Sequence, residues 1–303
     1  MTIRLRAYAK INLFLDVTGQ RADGYHDIRS LMQSVSLCDT VTVSLLEGKD
    51  GSVTLECDSD SIPCNEKNLA YRAAVLFYDT LGKRRNTHVK IEKRIPVSAG
   101  LAGGSTDAAA VLVGLNRLFG EPFTDRQLCA IGKRLGADVP FCIMGGGAEV
   151  SGIGDVLTPI SNIPALPMVI AKDGEGVSTP AAYRSLDDIF DGFRGVYAGG
   201  TVGTERYEAL LRGFCCGDTE LVAENIYNVF ERAVLPHHSR AAMIKEFFLS
   251  HGAVAAMMSG SGPSVFGIFR NDAEAERVAA LLNAGRETPI AFSVHPVQRG
   301  GET

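Results

Sequence analysis

The chain has 303 residues, with 30 Lys and Arg against 35 Asp and Glu and a formal charge of −5. Hydrophobic residues make up 46% and charged residues 21%, enough apolar material for one large or two medium-sized cores and far from a disordered composition. The densest basic run, Lys83-Arg84-Arg85, reads as a solvated turn, so nucleic acid is not an expected partner, and the longest apolar runs are too short to span a bilayer, so neither is a membrane.

In chain order, Ile11, Leu13, Leu15 and Val17 alternate with Lys10, Asn12, Phe14 and Asp16, the period-two pattern of a strand. Arg4, Arg6, Lys10 and Asn12 interrupt this N-terminal stretch, so it lacks the apolar core of a secretory signal. Arg21-Ala22-Asp23-Gly24 signals a turn. Further strands are predicted at 28–37, 41–46, 53–57 and 89–92. A helix is predicted over 68–81, stopped by Gly82, and others over 106–118 and 125–135. Thr124 and Gln127 form a capping box for the latter. The middle turns rich in glycine and proline (Gly145-Gly146-Gly147, Gly152, Gly154, Pro159, Pro164, Pro167). That shift places a domain boundary near 155–165, dividing the chain into 1–158 and 159–303. Strands follow at 168–171, 254–258, 265–269 and 290–295, and helices at 205–215, 226–234, 240–250 and 273–284. Met243, Ile244, Phe247 and Phe248 fall on one face of the third of these helices. The stretch 190–204 carries five glycines and reads as a long loop or insertion. Strand–helix–strand units recur without a strict repeat, which favours an α+β fold over a doubly wound parallel sheet. The 7 cysteines contain no C-x-x-C pair and no histidine at ligand spacing. They read as reduced thiols of a cytoplasmic protein, and no structural metal site is expected.

One stretch points to chemistry: Pro96-Val97-Ser98-Ala99-Gly100-Leu101-Ala102-Gly103-Gly104-Ser105-Thr106-Asp107-Ala108-Ala109-Ala110. It follows a predicted strand and opens a predicted helix. Glycines let backbone N–H groups turn into an anion-binding concavity. The helix start adds unpaired N–H groups and the positive end of its dipole, to which Asp107 in the first turn is also suited. No Walker loop and no dinucleotide fingerprint occurs. The motif therefore reads either as a phosphate cradle or simply as a tight strand-to-helix connection.

The same stretch resembles the second signature of the galactokinase–homoserine kinase–mevalonate kinase–phosphomevalonate kinase (GHMP) superfamily. Ala7-Tyr8-Ala9-Lys10-Ile11-Asn12-Leu13-Phe14-Leu15 resembles its first signature, and Met258-Ser259-Gly260-Ser261-Gly262-Pro263-Ser264-Val265-Phe266 its third. The block Gly19-Gln20-Arg21-Ala22-Asp23-Gly24-Tyr25-His26, with Leu135-Gly136-Ala137-Asp138-Val139-Pro140-Phe141 and Gly152-Ile153-Gly154, is similar to the branch whose acceptor alcohol carries a cytidine diphosphate. Ala102 departs from the glycine usual in the family, Thr106 from serine, and 190–204 matches nothing in it.

The resemblance implies a two-domain α+β kinase fold with the active site in the cleft between domains. It implies ATP with Mg²⁺ and a small-molecule cytidyl substrate phosphorylated on its 2-hydroxyl, a step of non-mevalonate isoprenoid biosynthesis, by a monomer or homodimer. Residues 96–106 would hold the nucleotide, with Ser105 or Thr106 reaching Mg²⁺ or a phosphate oxygen. Asn65 and Leu69 would line the adenine pocket. Lys10, by itself a solvated strand lysine, would be the catalytic cation. Asp138, by itself a turn aspartate, would be the general base, kept ionised by Lys10. Asn12 would lie on the substrate side of that strand face. Tyr25 would stack on the cytosine, His26 would hydrogen-bond its edge, and Tyr183 would cover its other face. Two alternatives stay open: another small-molecule kinase of the superfamily, of homoserine or mevalonate type, and a non-catalytic nucleotide-binding regulator on the same fold.

Overall fold

A computed structural model describes residues 1–48, 50–161, 163–190, 200–285 and 290–299. The N-terminal alternation extends into one long strand, β1 (Thr2–Gln20), which turns at 21–25 into β2 (His26–Leu45). The strands predicted separately at 28–37 and 41–46 are thus a single element. Its burial alternates on both sides of Asp39, so nothing breaks the ladder there. The two strands pair antiparallel along their length, with register shifts between Tyr8 and Lys10, Asn12 and Phe14, and Val17 and Gly19. Such bulges re-aim side chains, and two of them bracket Lys10 and Asn12.

Around this hairpin lies a seven-stranded sheet in the order β3-β4-β2-β1-β8, with β5 paired to β2 and β6 to β5. Here β3 is Val53–Cys57, β4 is Thr87–Glu92, β5 is Gly147–Ser151, β6 is Val156–Ile160 and β8 is Tyr227–Asn228. On one face pack α1 (Leu69–Leu81), α2 (Gly103–Leu118) and α3 (Asp125–Lys133). Asn68 caps α1 by accepting from Ala70 N–H, and left-handed Gly82 ends it. The Thr124–Gln127 capping box forms as expected. The small side chains Ala108, Ala109 and Ala110 let α2 lie close to Leu5, Ala7, Val41 and Val43.

The second sheet is antiparallel, in the order β11-β7-β10-β9, built from Met168–Lys172 (β7), Ala255–Met258 (β9), Val265–Ile268 (β10) and Ile290–Val294 (β11). Covering it are α9 (Ser239–Ser250) and α10 (Asp272–Asn283), through Ile244, Phe248, Ala275 and Val278. Met243 leaves the predicted apolar face of α9 and is 68% exposed. Between the sheets, Ile11, Leu13 and Phe14 of β1 share one core cluster with Met168, Ile170, Met257 and Phe266.

Several segments differ from their sequence reading. The glycine-rich middle holds β5 and β6, and just before it lies α4 (Val139–Met144), in which Pro140 suits the helical first turn. The helix expected over 226–234 is instead β8 followed by a short α8 (Glu231–Val234). Asn228 breaks the helical run by turning its side chain onto backbone groups. Two helices, α5 (Thr179–Ile189) and α7 (Thr219–Asn225), were unforeseen. Of the stretch 190–204, residues 200–204 belong to α6 (Gly200–Cys216); 191–199 lie outside the described residues.

Candidate active site

A cleft of about 770 Å³ is lined by both halves of the chain, within the size range of small-molecule sites. On one side runs the glycine loop. Ser98, Gly100 and Ala102 take positive φ angles of 52°, 75° and 60°, which turns the backbone sharply into α2. The N-cap of α2 is Ala102, which gives no side-chain hydrogen bond. The first N–H groups of the helix are thus left for a ligand. Ser98, Ala99, Gly100, Ala102, Gly103, Gly104 and Ser105 all line the cleft.

Other parts of the predicted nucleotide segment face elsewhere. Leu101 is buried in the core between the sheets. Thr106 is buried, and its hydroxyl donates to Tyr8 O at 2.8 Å, which ties α2 to β1. Of the two hydroxyls considered for Mg²⁺ or phosphate, only Ser105 opens on the cleft. Pro96 is half-buried and Val97 exposed; neither lines the cleft, and Val97 O accepts from Lys172 Nζ. Leu69 lines it, whereas Asn65 is exposed and its side chain closes a local turn onto Lys67 N–H.

Lys10 and Asn12 enter from β1. The 5%-exposed Lys10 donates from Nζ to Asn12 Oδ1 at 2.8 Å. In turn Asn12 Nδ2 donates to Ser30 Oγ at 2.8 Å, and Ser30 donates to Phe14 O at 2.6 Å. This chain fixes the direction of the lysine and leaves its ammonium two further donors. Opposite stands Asp138, half-buried at the N-cap of α4 and without a side-chain cap bond. Among the described residues it forms no ion pair with Lys10, and both side chains line the cleft.

The residues expected to face the cytosine form an aromatic wall. Tyr25 is 62% exposed at the rim. His26 is buried, pairs through Nε2 with Asp187 Oδ1 at 2.7 Å, and stacks on Tyr183 with ring centroids 4.7 Å apart and planes at 21°. Phe230 meets Tyr183 edge-on at 4.8 Å. Burial, with the Asp138 carboxylate adding to it, pushes Tyr183 up to about 12. Rather than standing open, Tyr183 lends one face to His26.

Several site residues escaped the sequence reading. Asp187 lies one helical turn after Tyr183 on α5, an i,i+4 spacing visible only once α5 is recognised. Asn228 is buried and donates to both Met258 O and Gly260 O, while its own Oδ1 accepts from Phe230 N–H. It thereby pins the glycine turn 259–262, whose Gly260 and Ser261 line the cleft beside Lys10 and Thr179.

Two family models match the chain in succession: the GHMP kinases N terminal domain over residues 68–146 and the GHMP kinases C terminal domain over 207–285. Together they define a small-molecule kinase of the GHMP class. The chain is 43% identical over 269 residues to the 4-diphosphocytidyl-2-C-methyl-D-erythritol kinase of Alkaliphilus metalliredigens, covering 89% of this chain and 88% of that one. It is 42% identical over 301 residues to the enzyme of the same name from Gloeobacter violaceus, covering 99% and 96%. A crystal structure of 4-(cytidine 5'-diphospho)-2C-methyl-D-erythritol kinase superposes with a TM-score of 0.77 at 32% identity, covering 99% of this chain and all of that one. The chain belongs to the 4-diphosphocytidyl-2-C-methyl-D-erythritol kinase family.

Proposed function

We infer that this kinase transfers the γ-phosphoryl group of ATP to the 2-hydroxyl of 4-diphosphocytidyl-2-C-methyl-D-erythritol, in the methylerythritol phosphate route to isoprenoid precursors. The observation that carries this reading is the convergence on one cleft of the glycine loop, Lys10, Asp138 and the Tyr25–His26–Tyr183 wall. In this reading residues 1–158 form the domain that bears the nucleotide loop and residues 159–303 the domain that closes the cleft. A monomer or homodimer in the cytoplasm is the expected state.

The unpaired N–H groups at 103–105 suit the triphosphate, with Leu69 flanking the adenine. Mg²⁺ would be held chiefly by phosphate oxygens, with the Ser105 hydroxyl, which lines the cleft, the protein group at hand. Bound there, Mg²⁺ would offset phosphate charge. Asp138 accepts the proton of the 2-hydroxyl as the phosphorus–oxygen bond forms. Lys10, oriented by Asn12, stabilises charge on the transferring group. The acceptor is a tertiary alcohol, so positioning matters as much as proton transfer. His26 and Tyr25 supply it by gripping the base at a distance from the reacting centre.

Incubation with ATP and the cytidyl substrate, followed by identification of the product, tests the reading. Equal or faster turnover of homoserine or mevalonate would refute it. Asp138→Asn is expected to lower kcat by at least ~100-fold with both KM values nearly unchanged; a near-normal rate would remove the base assignment.

A further inference from the structure

Behind the glycine loop, away from the cleft, lies a buried cluster that the phosphoryl-transfer chemistry does not use. Lys93, just past the end of β4, has a 7%-exposed side chain between two carboxylates: Asp39 of β2, which is fully buried, and Asp107 of α2, 4% exposed. Its Nζ donates to Asp39 Oδ2 and, at 2.8 Å, to Asp107 Oδ2. The other oxygen of Asp39 accepts from Arg94 N–H at 2.6 Å and from Ile95 N–H at 2.8 Å. The sequence reading gave Asp107 to the helix dipole; its carboxylate instead faces a lysine 14 residues earlier in the chain.

The connectivity has a mechanical meaning. Arg94 and Ile95 are the residues from which the loop departs, and α2 is where it arrives. One ionic cluster holds both ends, with Lys93 as the link. Nζ lies 3.4 Å from the position a Cβ would take on Gly103, immediately behind the helix start. The loop itself spans 96–102 with few side-chain bonds of its own. Asp107 is an expensive choice for this place. Burial pushes its carboxyl up to about 7 despite Lys93, with Asp39 acting in the same direction, and its Oδ1 is buried without a hydrogen-bond partner. Apolar residues of similar volume often replace a buried ion cluster without loss of stability, so packing α2 against the sheet does not by itself call for these charges.

We propose that Asp107 is a positioning residue for the nucleotide: through Lys93 and Asp39 it clamps the two ends of residues 96–102 at a fixed separation, so that the loop N–H groups are held in place before ATP arrives. The proposal rests on reading residues 96–105 as the triphosphate cradle.

The test compares wild type with Asp107→Asn, which keeps an oxygen for Lys93 Nζ, and Asp107→Leu, which keeps the volume but cuts the link. In Asp107→Leu the KM for ATP is expected to rise at least ~10-fold while that for the alcohol stays within ~2-fold, since a misplaced cradle loses its own ligand first. In the ligand-free protein, the amides of Lys10 and Ser264, which donate to the loop carbonyls Leu101 O and Ala99 O, should exchange with solvent at least ~10-fold faster, as expected when a local opening of the loop becomes easier. Asp107→Asn should stay within ~3-fold of wild type in every measurement, because its oxygen preserves the link. A parallel rise of both KM values, or unchanged loop exchange in folded Asp107→Leu, would overturn the clamp. Should Asp107→Leu not fold, the wild type decides. The protected amides of Arg94, Ile95 and Thr106 should share one opening free energy across a denaturant series, and independent opening would overturn the proposal. Failure of wild type to bind ATP would instead remove the cradle reading and leave the exchange experiment, made without ligand, still decisive for the clamp.

Discussion

Gly100 is where the two glycine-rich segments of the cleft touch, and replacing it with Ala separates two physical effects. At φ 75° a side chain pays for the left-handed conformation, about 1–2 kcal/mol. In addition, the new Cβ would stand 2.3 Å from Ser259 O and 3.2 Å from Gly262 N and O. These are backbone atoms of the turn that Asn228 holds, so they cannot swing aside. Restoring an ordinary C···O approach of roughly 3.3 Å means moving one loop by about 1 Å. Gly82, at the end of α1, isolates the first effect: its φ is 71° and nothing lies within 4 Å of its Cβ position. Gly82→Ala should therefore cost only about 1–2 kcal/mol, whereas Gly100→Ala should cost roughly 2–5 kcal/mol once overpacking of ~1–3 kcal/mol is added. A displacement of about 1 Å in the cradle should also lower kcat/KM for ATP on the order of 100-fold, with Gly82→Ala fully active. Urea unfolding of both variants with steady-state kinetics gives the comparison. Equal destabilisation of the two variants would show that the contact between loops is not rigid; full activity in Gly100→Ala would show that loop position does not matter to the donor.

Asp16 gives a pH-dependent prediction. Burial raises its carboxyl from 3.8 to about 6, against the Val17 N–H bond and the charges of Arg29 and Arg232. The folded chain holds this proton more tightly than the unfolded chain, so the associated stability is complete below about pH 4 and lost as pH rises through about 6. At pH 8 Asp16→Asn should therefore exceed wild type by up to about 3 kcal/mol, at ~1.4 kcal/mol per pKa unit, and at pH 4 the two should coincide; a difference independent of pH in urea unfolding would refute this. His26→Ala should raise KM for the cytidyl substrate by ~2–10-fold, the loss of one hydrogen bond to the base edge at about 0.5–1.5 kcal/mol, with KM for ATP unchanged. A parallel rise for ATP would mean that the His26–Tyr183 stack supports the cleft as a whole.

What the sequence made legible follows the range of the interactions concerned. Lys10 and Asn12 could be placed on one strand face because alternation is local, and the glycine loop could be placed because a strand end and a helix start flank it. The α+β class followed from the same local patterns, whereas the two-domain arrangement came only from the resemblance. Asp138 carried no local signal beyond a turn, and only the resemblance of its surroundings singled it out. Asp107 was misassigned because its partner is reached through the sheet rather than along the helix. Asp187 was missed because α5 was, and α5 was missed because Thr179-Pro180 looks like a loop until Pro180 is seen as a first-turn proline. Asn228 was missed for the opposite reason: a helical-looking run concealed a side chain that completes a turn from another strand.

Ala102 connects these points. A glycine is usual there in the family, and the alanine keeps the left-handed conformation, φ 60°, at a cost of about 1–2 kcal/mol. Such strain persists only where the surroundings over-determine the backbone, and here they do. Leu101 O accepts from Lys10 N–H, Gly100 O accepts from Ser259 Oγ at 3.2 Å, and Thr106 Oγ1 donates to Tyr8 O on the far side. The cradle is therefore shaped from outside by β1, the glycine turn and the Asp39–Lys93–Asp107 cluster, and not by side chains of its own. A loop built this way keeps its N–H groups turned to the cleft. It also explains how a residue ill-suited to the conformation can occupy this bend: the anchors, more than the intrinsic preference of residue 102, set the angle at which α2 meets the cleft.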